Sequence, residues 1–351
     1  MFLAYIFLLF EGITRFVLLY FASTNYDLYG ELSYIFILSV LIGSLVSFGS
    51  GQVILFERRK EDFCLSVLLY LTIMAFFFVA FLKIASNFDN TEIGFFAFLY
   101  PTLSLLADGC RKSINILIRL QKTLFWICFL GLIFELSFTK FMMLLICLTN
   151  FFLYVHFVKN KSSNLQSLFQ IFTSRINIKF FLSSVTNNAS RFVERTVMLI
   201  ILPSGTAFGQ FQALRDTCNL PIFFLGPLLS EKMLQDRGFE KILHLIIFGS
   251  FIGLVFQYFF LDRLIPQEIS LIIIVMICSL FDIGRVISNV AAEINSLFSL
   301  TWILKFATTI SLLILYLTNF TDFNQIFIFL SGTSLLYIFV IFLALRKKLN
   351  A

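Results

Sequence analysis

Apolar runs long enough to cross a membrane alternate with short polar breaks along the whole chain. A helix rises 1.5 Å per residue, so about 20 apolar residues cross a hydrocarbon core about 30 Å thick. The runs between polar breaks predict twelve spans, at 3–23, 32–55, 64–85, 94–118, 123–138, 141–158, 180–202, 206–229, 242–261, 269–292, 298–318 and 325–345. Two-residue alternation is weak, and the runs are too long for barrel strands of about 9–11 residues. The pattern therefore predicts an all-α polytopic membrane protein with twelve transmembrane helices.

Composition supports this. Of 351 residues, 59% are hydrophobic and only 13% charged, and 49 are Phe. A soluble domain carries about 25% charged residues, and the apolar excess here has to face lipid. Nucleic-acid binders, secreted disulfide scaffolds and cytosolic enzymes are excluded on this ground, and no nucleic-acid partner is expected. The formal charge of +6 follows membrane topology instead. With the N-terminus inside, the inner loops and tail hold Arg58, Arg59, Lys60, Arg119, Lys122, Lys159, Lys161, Arg175, Lys179, Lys232, Arg237, Lys241, Arg346, Lys347 and Lys348. The outer loops hold only Lys140 and Arg263. Lys and Arg concentrate on the cytoplasmic side of membrane proteins, so both termini are expected to be cytoplasmic. The first run lacks a basic start and is interrupted by Glu11 and Arg15, which reads as a span and not as a cleaved signal. The six Cys lie in or beside apolar runs with no CxxC spacing, and the two His lie in different spans. No metal site or cofactor is expected.

The longest inner loop, 159–179, is polar (KNKSSNLQS at its start) and divides the chain into a six-helix bundle at 1–158 and another at 180–351. The two halves carry matching segments. Asp108, Arg111 and Asn115 match Asp282, Arg285 and Asn289 at a constant offset of 174. Arg15 leading to Tyr29-Gly30 matches Arg195 leading to Phe208-Gly209 at offsets of 180 and 179. Six spans per half insert both copies the same way up. The repeats are then parallel, related by a pseudo-two-fold along the membrane normal, with a substrate path between them near the midplane.

Charged residues fall inside the predicted spans. The basic ones are Arg15, Lys83, Arg111, Lys112, Arg191, Arg195, Arg215, Arg285 and Lys305. The acidic ones are Glu11, Asp108, Glu135, Glu194, Asp216 and Asp282, leaving a net of three positive charges. Each charge at bilayer depth costs about 2.5–3.5 kcal/mol on insertion scales, so these groups face protein or water. In the seventh span Ser184, Asn187, Asn188, Arg191, Glu194 and Arg195 recur at steps near three and four, one face of a helix. The fourth, tenth and first spans repeat the design with Asp108 and Arg111, Asp282 and Arg285, and Glu11 and Arg15. Such pairs at three or four residues' separation also suit simple neutralisation within one helix. Arg191 and Arg195 share one local acid, Glu194, which leaves a guanidinium for a cavity. A guanidinium fork matches phosphate and stays charged. The candidate anion-binding set is Arg15, Arg111, Arg191, Arg195 and Arg285 with Asn187 and Asn188. Glu11, Asp108, Glu194 and Asp282 are the acids available to couple an ion, H⁺ or Na⁺.

Tyr29-Gly30, Phe48-Gly49, the basic Arg58-Arg59, and Glu194-Arg195 followed by Phe208-Gly209-Gln210-Phe211 and Pro227 carry a family resemblance. On these motifs and its span count the chain resembles the multidrug/oligosaccharidyl-lipid/polysaccharide (MOP) exporter superfamily. Within it, the chain is most similar to the O-antigen and polysaccharide repeat-unit flippases. The resemblance implies two pseudo-symmetric six-helix bundles of the MATE-like type and alternating access. It implies an undecaprenyl-pyrophosphate-linked oligosaccharide as substrate, moved across a bacterial inner membrane at the expense of an ion gradient. A drug or cation antiporter of the same superfamily is the first alternative, and it prefers an acidic, aromatic cavity. A membrane glycosyltransferase or polymerase is the second, but the predicted outer loops are short and hold only scattered acids.

Overall fold

The computed structural model describes residues 17–21, 24–47, 175–222, 239–265, 267–295, 297–318 and 320–349, with a few positions between 124 and 146. Among these residues all regular structure is helical. The helices of eight or more residues are α1 (Tyr26–Ser47), α2 (Arg175–Ile201), α3 (Gly205–Thr217), α4 (Phe239–Leu264), α5 (Ile269–Ile294), α6 (Phe298–Thr318) and α7 (Phe323–Leu349). The third and fourth predicted spans, most of the first, fifth and sixth, and the loop from 159 to 174 lie outside the described residues, as do Glu11, Arg15, Asp108 and Arg111.

Among the described residues, four helical stretches are long and apolar enough to cross a membrane: Ile246–Leu264, Ile269–Ala292, Ser299–Thr318 and Phe323–Lys348. They coincide within a few residues with the last four predicted spans. Their outer faces are unlike a soluble surface. On α4, Ile247, Phe248, Phe251, Val255 and Phe259 recur at helical spacing and are all exposed. On α7, Leu335, Leu336, Phe339, Phe342 and Leu343 do the same. Such continuous apolar faces suit lipid and not water. The chain is on these grounds a multi-pass membrane protein.

The chain divides into two compact units. One comprises Phe16–Glu31 and Val193–Ala351, the other Met1–Arg15 and Leu32–Phe192. The site described below lies within the first. Its core is the pairing of α5 with α7, the most extensive helix pair among the described elements. Leu271, Val275, Cys278 and Asp282 form the buried stripe of α5, while Ile273, Ile277 and Leu280 lie on its exposed side. Gly284 permits the close approach: a Cβ there would stand 2.8 Å from the Cδ1 of Ile338.

Local chemistry sets the helix ends. Asn25 caps α1, its Oδ1 accepting from the Leu28 N–H at 3.1 Å, so the helix begins six residues before the predicted span at 32. Asp322 caps α7 in the same way, through the Asn324 N–H at 3.1 Å. The three basic residues Arg346, Lys347 and Lys348 fill its last turn, where they complement the carbonyl end of the helix dipole. α2 begins at Arg175 and so runs into the predicted 159–179 linker.

The predicted eighth span, 206–229, is not one continuous helix in its described part. α3 stops at Thr217, a tight turn closes through the Asn219 N–H on the Asp216 carbonyl at 3.1 Å, and helix resumes at 220–222. Pro221 explains the break. It has no N–H to offer the Thr217 carbonyl, and its ring displaces the preceding turn. Gly253 of α4 packs on this break, where a Cβ would come within 2.5 Å of the Pro221 Cα.

Candidate functional site

α2 and α3 are joined by a tight connection over Leu202–Ser204. Ser204 caps α3, its hydroxyl accepting from the Ala207 N–H at 3.1 Å. Each helix carries an adjacent acid and base in its buried part: Glu194-Arg195 on α2 and Arg215-Asp216 on α3. Neighbours in a helix point about 100° apart, so neither pair closes on itself well. Each finds partners on another helix.

Arg215 is the centre. Its Nε donates to Glu194 Oε1 at 2.8 Å and its Nη2 to Glu194 Oε2 at 3.4 Å. Its Nη1 donates to Asp282 Oδ2 on α5 and lies 3.9 Å from the Cys278 Sγ. Asp282 also accepts from the Ser334 hydroxyl of α7 at 3.0 Å and faces Arg285 Nη2 at 3.4 Å. At the other end Arg195 Nη2 donates to Asp216 Oδ1 at 3.1 Å, and its Nε lies 3.9 Å from Glu194 Oε1. The Tyr29 hydroxyl of α1 donates to Asp216 Oδ2 at 2.9 Å. The Arg195 guanidinium also lies over the Phe211 ring, 5.4 Å from its centroid.

The result is an alternating string: Asp216, Arg195, Glu194, Arg215, Asp282, Arg285. Three carboxylates meet three guanidinium groups, so the string is formally neutral. Its middle is sealed: the Glu194, Arg195, Arg215 and Asp282 side chains are each at most 9% exposed. Its ends are open, with Asp216 at 26% and Arg285 at 25%. Desolvating so many charges is costly, and mutual attraction offsets it only when nearly every donor has an acceptor. One donor here does not: Arg195 Nη1 is buried with no hydrogen-bond partner. Chemically the string can exchange partners. A proton or cation arriving on one carboxylate releases the guanidinium next to it.

Of the sequence-predicted site residues, Arg195, Glu194, Asp282 and Arg285 are brought together. Asn187 and Asn188 are half-buried on α2, and Arg191 is exposed one turn before Arg195. Arg195 has an acid that reading along one helix does not reveal, Asp216, and Glu194 is held chiefly by Arg215. The pairing of Asp282 with Arg285 is present at 3.4 Å, but Asp282 is shared with Arg215. Along the sequence Arg215 and Asp216 read only as interior charges; in the structure they are central to the cluster. Tyr337 binds the remaining polar residue of α5's stripe, donating to Asn289 Oδ1 at 3.0 Å. Among the described residues no group of His, Cys, Asp and Glu could hold a metal ion.

Comparison with protein-family models, with curated proteins and with solved structures found no match for this chain.

Proposed function

We propose that the protein is an alternating-access flippase that carries an undecaprenyl-pyrophosphate-linked oligosaccharide across a bacterial inner membrane, with both termini cytoplasmic. The observation that carries this reading is the string of six charges, buried at its middle four, between helices with lipid-type outer faces. Ionisable groups inside membrane segments are expensive and mark substrate or ion pathways. In this reading Glu194 and Asp282 couple the ion by trading it against Arg215. The pyrophosphate is received by the exposed Arg191 with Arg15 and Arg111, and by Arg195 and Arg285 once their carboxylates let go. The interior charges in the described residues remain net positive: Arg191, Arg195, Arg215, Arg285 and Lys305 against Glu194, Asp216 and Asp282. That surplus suits an anionic headgroup whose lipid tail stays in the membrane.

The test is deletion of the gene, followed by measuring which leaflet accumulates lipid-linked oligosaccharide. Accumulation on the inner leaflet, reversed by the wild-type gene and not by Arg191→Ala at equal membrane abundance, is the expected result. Unchanged glycan export in the deletion strain refutes the reading. The neutrality of the string favours one second reading, a drug or cation antiporter of the same superfamily in which Glu194 and Asp282 hold the cargo. That reading expects unchanged glycan export together with loss of cation efflux.

A further inference from the structure

Gln257 lies on α4, inside the apolar stretch Ile246–Leu264. It is fully buried, and neither its Nε2 nor its Oε1 has a hydrogen-bond partner among the described residues. An unanswered amide is costly in any apolar surrounding, and most of all inside a membrane. Two contacts fix what this amide faces. Gly253, Gln257, Leu261 and Leu264 recur at helical spacing as the buried stripe of α4. At one end of the stripe Gly253 packs on Pro221. At the other, the Leu264 carbonyl accepts from the Tyr26 hydroxyl at 3.2 Å, and the Tyr26 carbonyl lies against Gly209 near the start of α3. α3 and α4 therefore run antiparallel. Four residues on from Gly253 and four back from Pro221 cover the same rise, about 6 Å. Gln257 is thus level with Thr217, the buried last residue of α3.

The backbone is broken at that level. The Arg215 carbonyl accepts from Asn219 Nδ2 at 3.3 Å, the Asp216 carbonyl from the Asn219 N–H at 3.1 Å, and the Cys218 carbonyl from the Ser279 hydroxyl at 3.1 Å. The Thr217 hydroxyl donates to the Leu214 carbonyl at 2.6 Å. The helical donor to the Thr217 carbonyl would be residue 221, and Pro221 has no N–H. We propose that the Gln257 amide and the Thr217 carbonyl bind a water molecule inside the membrane-spanning part of the protein. Water fits this set of donors and acceptors. It accepts from Nε2, donates one hydrogen to Oε1 and gives the other to the Thr217 carbonyl, the three bonds typical of a buried water. A monovalent cation fits worse: it uses only the two oxygens, leaves Nε2 unanswered, and stands two residues along α3 from the Arg215 guanidinium. The site is separate from the charge string and from the choice of cargo. It holds the end of α3 to α4 through an exchangeable ligand, while Ser279 holds the same end to α5. A bridging water bonds nearly as well as a direct contact.

Two measurements test the site, and neither depends on what is transported. The first is solid-state NMR of the wild-type protein in bilayers, with ¹⁵N-labelled glutamine. Gln257 is assigned through the pair Gln257-Tyr258, which occurs once in the sequence. Magnetisation from water should reach its Nε2 sooner than its backbone N–H, and transfer no faster than to the backbone overturns the site. The second is unfolding of Gln257→Met, which keeps the shape and removes both polar atoms. The ratio of folded to unfolded protein should fall about fivefold or more, as the water's bonds are lost. An amide with no ligand predicts the reverse, because an apolar replacement relieves an unpaired buried group, so equal or greater stability overturns the site. Pro221→Ala supplies the missing N–H, and in that background Gln257→Met should cost less; an unchanged cost overturns the role of the Thr217 carbonyl. Replacing choline by Na⁺ or K⁺ should leave the wild-type thermal midpoint unmoved. A rise that Gln257→Met abolishes assigns the site to a cation and overturns the water. The NMR result decides alone if the Met variant does not fold.

Discussion

Replacing Arg215 with Met tests whether the charge string is a single balanced unit. The change removes two hydrogen bonds to Glu194, at 2.8 and 3.4 Å, and the bond to Asp282. The string goes from neutral to a net charge of −1. The loss is uneven. Asp282 keeps Arg285 at 3.4 Å and Ser334 at 3.0 Å, whereas Glu194 keeps only the Arg195 Nε at 3.9 Å. Glu194 is then a buried carboxylate without a close cation, a situation that costs about 3–5 kcal/mol. At about 1.4 kcal/mol per power of ten, the ratio of folded to unfolded protein should drop by roughly two to three and a half powers of ten. Adding Glu194→Gln restores neutrality and leaves Arg195 with Asp216 and Arg285 with Asp282, so it should recover most of the loss. Adding Asp282→Asn instead restores the count but leaves Glu194 stranded, so it should recover less. Denaturant unfolding of the solubilised protein, followed by tryptophan fluorescence and size-exclusion, measures all four proteins. If Arg215→Met is within about 1 kcal/mol of wild type, or if Asp282→Asn rescues it better than Glu194→Gln, the partner assignment is wrong.

Gly209→Ala should destabilise by about 1–3 kcal/mol, the usual cost of overpacking, because its Cβ would fall 1.8 Å from the Tyr26 carbonyl oxygen. Gly332→Ala on α7 is its control: nothing lies within 4 Å of the added methyl, and its thermal midpoint should stay near wild type. A periplasm-active reporter fused after Asn90 should be active and one fused after Lys161 silent, as the bias of basic residues requires, and the reverse at either site breaks the twelve-span topology.

The last four spans were legible because hydropathy suffices where an apolar run is long and its polar breaks are abrupt. Where one residue interrupts the backbone without interrupting the hydropathy, the same reading fails. Pro221 is such a residue: it lies within an apolar run, yet its missing N–H ends α3 four residues earlier. The start of α1 was missed for the converse reason. Asn25 and Asp27 look like loop residues in a hydropathy profile, but they are a cap and a first-turn acid, which helices favour.

The charge string shows how far helical periodicity reaches into a site. Spacings of three and four expose pairs within one helix, so Asp282 with Arg285 was visible. Arg215 pairs with Glu194 and Asp282 at separations of 21 and 67 residues, which no single-helix pattern contains. One signal was nevertheless present. Glu194-Arg195 and Arg215-Asp216 are both adjacent acid–base dipeptides, and adjacent residues diverge by about 100° around a helix. Inside a membrane neither dipeptide can neutralise itself in good geometry, and each charge left alone is too costly to bury. Each dipeptide therefore requires a second helix bearing the opposite order of charges. The chain supplies it 21 residues later, with acid-base on α2 answered by base-acid on α3. Read this way, the order of two charges in a buried helix predicts which neighbouring helix must hold them. It also identifies Arg215, which faces acids on two helices, as the residue on which the whole string depends.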